Sequence, residues 1–61
     1  MANLNEVELQ NLRHLIQFGH ADVQKFQSYA QNAQDQQVKQ FFEKSAQSCQ
    51  KNLDTIMQFL Q

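Results

Sequence analysis

Apolar or small residues recur at Leu9, Leu12, Ile16, Gly19, Val23, Phe26, Ala30 and Ala33, at alternating steps of three and four. That spacing draws one stripe down one face of an α-helix. Carried forward, the same register would place Gln37, Gln40 and Lys44 in the core, and all three are polar. A new stripe begins instead, through Val38, Phe42, Ser45 or Ala46, Cys49, Leu53, Ile56 and Leu60. The phase changes across residues 32–37. The pattern therefore predicts an all-α antiparallel helical hairpin, with helices near residues 4–32 and 36–60 in a single domain over residues 1–61. One long helix carrying a phase slip inside a coiled coil is the alternative.

The chemistry of the break permits a turn. Asp35 suits the N-cap of a second helix, because its carboxylate can accept a bond from an otherwise unpaired N–H. Asn32 can adopt the left-handed conformation that ends many helices. The break holds neither Gly nor Pro, the strongest punctuators. The first helix should start near Asn3 or Asn5. Each stands three residues before a glutamate, Glu6 or Glu8, as in a capping box.

Each helix predicts its own packing. Leu15 and Phe18 widen the first apolar face beyond the stripe, the width a helix needs when it has two neighbours. Gly19, mid-helix, lies opposite Cys49 if the turn centres near Gln34. With Ser45, Ala46 and Ser48 close by, it reads as a close approach of two backbones through small side chains, or as a small mid-bundle pocket. On either side of this polar waist, Phe41 and Phe42 can face Phe26 and Tyr29 near the turn. Leu53, Ile56, Met57, Phe59 and Leu60 can face Leu9, Leu12, Leu15 and Ile16 at the far end. Asn52 is a candidate register-setting amide or a rim residue.

Length decides what such a hairpin can do alone. Sixty-one residues make at most one domain, with 41% hydrophobic residues and a single cysteine. A chain of about 60 residues is marginal without disulfides, metals or self-association. One cysteine excludes an internal disulfide, so the stripes predict pairing as a homodimer, two hairpins closing a four-helix bundle. The self-association candidates are Leu12, Ile16, Gly19, Val23, Phe26, Phe42, Cys49 and Ile56.

Charge and composition narrow the classes further. A formal charge of −1, with five basic and six acidic residues scattered along the chain, leaves too little positive charge for a nucleic-acid partner. No run of 18 apolar residues exists, so no membrane span is expected. Residues 1–6 lack the basic region and apolar stretch of a signal peptide, and a lone cysteine suits a reducing interior, so a cytoplasmic protein is expected. Glutamine supplies 13 of the 61 residues. Dispersed as they are, these amides suit a neutral solvated helix surface, or adhesion through amide-rich faces.

Candidate chemistry is sparse. His14 and His20 stand six apart, so one helix face cannot offer both to a metal as it could an i, i+4 pair. His14 falls on the outer face, near Asp54, where a weak surface ion pair is expected. In a two-fold dimer, His20 and Cys49 from each chain would be the candidates for a zinc-like ligand set. No base accompanies a candidate nucleophile and no carboxylate pair falls on the inner face. No enzyme activity and no cofactor are expected.

Glu8-Leu9-Gln10-Asn11-Leu12-Arg13-His14-Leu15-Ile16, then Tyr29-Ala30-Gln31, then Asp35-Gln36-Gln37-Val38-Lys39-Gln40-Phe41-Phe42 resemble the small ferritin-like helical proteins of spore-forming bacteria related to spore coat protein F. In this sequence Gln36 replaces the proline of that family's Asp-Pro turn. The resemblance covers nearly the whole chain, but only half of a four-helix ferritin-like domain. It implies a spore-coat or sporulation-associated packing protein, placed in the coat, with other coat or scaffold proteins as partners. It does not extend to iron: di-iron members carry Glu-x-x-His on a core helix. The nearest match here, Glu43-Lys44-Ser45-Ala46, ends in alanine, and Glu43 points away from the stripe.

The expected function is a non-catalytic structural or protein-interaction module that self-associates and presents amide-rich helical faces. The alternative is a metal or small-ligand binder using the waist around His20, Ser45 and Cys49.

Overall fold

A computed structural model describes residues 3–60. The readings that include Met1, Ala2 and Gln61 lie partly outside those residues. Two helices, α1 (Glu6–Asn32) and α2 (Gln36–Gln58), pack against each other along their length. The described residues contain no strand. The hairpin is a rod, with Cα extents of 46 × 15 × 12 Å.

α1 begins where its cap is. Asn5, extended at φ −79° and ψ 170°, accepts the Glu8 N–H at 2.8 Å through Oδ1. In return the Asn5 N–H donates to Glu8 Oε1 at 3.1 Å. Two otherwise unpaired donors are satisfied reciprocally. Asn5 is thus the start signal and Asn3 is not. At the other end, no described residue other than glycine has a positive φ, and neither does Gly19. The expected left-handed Asn32 is therefore not found. Asn32 is the last residue of α1, and its side-chain Nδ2 donates to the Ser28 carbonyl at 2.9 Å. The chain leaves through Ala33 in an extended conformation, with the Ala33 N–H donating to Ala30 O at 3.4 Å.

Asp35 caps α2 as the sequence predicts, accepting the Val38 N–H at 2.9 Å. α2 stops at Gln58, two residues short of the expected end. There the Phe59 and Leu60 N–H groups fold back to Ile56 O and Met57 O at 3.0 and 3.1 Å, a tightened last turn.

Every member of the first stripe is buried or half-buried, so the heptad pattern marks the intramolecular seam of α1. On α2 the seam is Lys39, Phe42, Ala46, Cys49, Leu53 and Ile56. Val38 and Leu60, expected in it, are exposed. Lys39 takes the place of Val38 because an unbroken three-four alternation back from Phe42 reaches residue 39. Half-buried, it lines the same cleft as Val23 and Ala30. Among the described residues Val23, Ala30, Ala46 and Leu53 are buried, and Leu53, at 1% exposure, is the one large side chain fully buried.

The centre differs from the expected polar waist. A Cβ built on Gly19 would stand 2.5 Å from Leu53 Cδ2 and 3.0 Å from Cγ. Gly19 receives a large side chain; it does not pair with small ones. The reason is the tilt of helical side chains toward the N-terminus, so a given spot is covered by a residue C-terminal to it. Cys49 is level with Gly19, but Leu53, one turn further along, leans back to fill the space. Near the turn, Phe42 packs on Phe26 and Tyr29 with ring centroids 6.3 and 5.3 Å away, as expected, and Phe41 lies against Phe42 at 5.7 Å.

Candidate interaction face

The seam divides the surface of the hairpin into two unlike faces. On one side α1 carries Gln10, Gln17, Gln24 and Gln31, each seven residues after the last. α2 supplies Gln47 and Gln50 to the same side, and a shallow cleft there is lined by Gln27, Gln31, Glu43, Gln47 and Gln50 over Val23, Ala30 and Ala46. This face is rich in amides, with Lys39 and Glu43 as the charged groups of its cleft.

The opposite side is apolar. α1 contributes Leu15 and Phe18, and α2 contributes Phe41 and Phe59, each a residue that the three-four rule places just outside the seam. Their exposure is substantial: 54% for Leu15, 64% for Phe18 and 63% for Phe41. Three clefts follow this side in succession. Leu4, Leu12 and Phe59 line the first, at the open end. Leu15, Phe18, Gly19, Cys49, Asn52 and Ile56 line the second, at the middle. Phe26, Phe41, Ser45, Ser48 and Cys49 line the third, toward the turn. Polar residues interrupt the three clefts: Glu8 and Asn11 in the first, Asp22, Asn52 and Thr55 in the second, and Lys44 in the third.

The sequence candidates divide between these surfaces. Leu12, Ile16, Gly19, Val23, Phe26, Phe42, Cys49 and Ile56 all lie in the seam and are used within the hairpin. They hold the two helices together. Cys49 is half-buried and borders the two central apolar clefts. His20 is exposed and sits beside the seam on the amide side, so His20 and Cys49 turn to opposite faces. Among the described residues, no group of three or more His, Cys, Asp or Glu side chains converges as a metal site. His14 packs edge-on against Phe18 at 6.2 Å, and Asp54 accepts a bond from Gln50 Nε2 at 3.0 Å, in place of the expected His14–Asp54 pair. Asn52 is exposed at the rim of the central apolar cleft. Ser45 donates its hydroxyl to the Phe41 carbonyl one turn back at 2.8 Å, a common helical back-bond.

The flank was half legible in the sequence. Leu15 and Phe18 stand out as widening the first face. Their counterparts Phe41 and Phe59 are expected to face the other helix as apolar residues at its two ends, yet neither belongs to the α2 stripe and both are exposed. No helix among the described residues is long and apolar enough to cross a membrane. No family model matches the chain, and no curated protein or solved structure matches it either.

Proposed function

We propose that the chain is a non-catalytic structural or protein-interaction module that works by pairing with a second copy, two hairpins closing a four-helix bundle across the apolar flank. The exposed row of Leu15, Phe18, Phe41 and Phe59 carries this reading. Surface area supports it. The hairpin exposes 5060 Å² at a mass of 7.2 kDa, whereas a compact monomer of that mass exposes about 4100 Å². The excess, about 950 Å², is comparable to the ~800 Å² that each partner covers in an interface of standard size. Pairing on this flank leaves both amide faces outward, where they are free to meet other proteins. The packing role in a spore coat that the sequence resemblance implies is part of this proposal, on sequence grounds alone.

Phe18 is exposed in the hairpin, so replacing it tests the interface with little effect on the seam. Phe18→Glu should give a single-chain mass in sedimentation at concentrations where the unmodified chain is paired. Gln17→Glu, on the amide side one residue away, should pair normally. Dissociation by Gln17→Glu, or unchanged pairing by Phe18→Glu, would assign the contact to the wrong face.

A further inference from the structure

We infer that a two-residue offset between the seams of the two helices, and not the residues of the turn, keeps the chain folded back as a hairpin. The seam then stays within one chain, and copies meet as whole hairpins. That last step rests on the self-association proposed above; the offset itself does not.

The turn is weakly punctuated. Ala33, Gln34 and Asp35 join α1 to α2. None is Gly or Pro, and none has a positive φ. Alanine and glutamine are good helix formers, and aspartate is tolerated. The Asp35 side chain accepts the Val38 N–H, but a helix running through would give that N–H a backbone carbonyl in its place. Local preference alone would let one long helix form.

The seams forbid it. The first seam ends at Ala33 and the second begins at Lys39, both half-buried. An unbroken alternation after Ala33 would step four residues, to Gln37. The observed step exceeds that by two residues, a rotation of about 200° at 3.6 residues per turn. In one straight helix the two seams would therefore lie on nearly opposite sides. A second helix laid alongside could cover only one of them. The other would stay in water, either Val23, Phe26 and Ala30 or Phe42, Ala46 and Leu53. Folding back removes the conflict, because each helix of a hairpin can turn about its own axis to face the other. The structure sharpens this point. A second seam phased from Val38 would be offset by one residue, about 100°; Val38 is exposed and the seam runs from Lys39.

Exchange of helices between copies is a low-cost route to a dimer, and it would place the seam between chains. Exchange through a straightened, helical turn meets the same 200° conflict, so the offset closes that route.

The experiment deletes Gln36 and Gln37, which makes the alternation continuous from Leu9 to Ile56. The variant should form one helix of about 50 residues, roughly 75 Å long at 1.5 Å per residue, paired with a second copy along a single seam. The hairpin is 46 Å long, and small-angle X-ray scattering separates the two lengths. A second variant, Gln34→Ala with Asp35→Ala and Gln36→Ala, strengthens helix preference and leaves the offset alone. It should keep the length of the unmodified chain. Circular dichroism checks the helix content of each protein. A deletion variant that stays short, or that loses its helix, overturns the offset as the cause. Elongation or loss of helix in the alanine variant assigns the hairpin to its turn residues and overturns it too, as does an unmodified chain already near 75 Å. A single-chain mass for the unmodified protein overturns self-association and leaves the offset standing.

Discussion

Gly19 is the residue on which the packing turns. Glycine in a helix interior costs about 1 kcal/mol relative to alanine, yet here a Cβ would run into the side chain of Leu53. The two positions should therefore be coupled. Leu53→Ala should lose about 2–5 kcal/mol, the range for emptying a fully buried leucine site. Gly19→Ala should lower the thermal midpoint of the unmodified chain through overpacking. In the Leu53→Ala background it should raise the midpoint, because the obstacle is gone and the helix preference remains. Circular dichroism melts of the four proteins measure this, and equal effects of Gly19→Ala in both backgrounds would contradict the contact. The sequence makes the need for close approach at Gly19 legible, since a lone mid-helix glycine has few other uses. It does not reveal the partner. Counting levels across a turn leads to Cys49, and only the backward tilt of helical side chains moves the contact on to Leu53. The same limit applies to His20 and Cys49, which share a level range but not a face.

At the scale of the helices, boundaries follow hydrogen bonds that the sequence spells out. Asn5 with Glu8, and Asp35 three residues before Val38, are local patterns, and both caps form. The end of α1 is less legible because Asn32 has two ways to finish a helix, and it bonds back to Ser28 without turning left-handed. The turn makes a sharp forecast. Gln36 is the first residue of α2, and Asp35 before it is extended, at φ −76° and ψ 130°, the conformation that a following proline demands. Gln36→Pro should be neutral or stabilise by about 0.4–1 kcal/mol. Asp35→Ala should cost about 0.5–2 kcal/mol. Urea titrations compare the two, and a large loss from Gln36→Pro would place the helix start elsewhere.

The whole molecule is long for its mass. A compact chain of this length has a radius of gyration of about 10.5 Å, against 14.2 Å for the hairpin. With Leu53 the only large side chain fully buried among the described residues, the stability of one copy rests on a thin seam. Hairpin topology is legible in the sequence because the phase change is a property of the chain itself. The interaction flank is legible only in part. Seam and flank differ by a modest rotation about each helix, and stripe counting settles that rotation only once both helices are in register. A chain that completes its core by pairing should also unfold in a concentration-dependent way. The most direct test is the molar mass in solution, by light scattering across a dilution series. The account predicts the mass of two chains, falling to one on dilution as helicity falls with it. A fully helical single chain at every concentration would contradict it, since the hairpin would then be stable with its apolar flank in water.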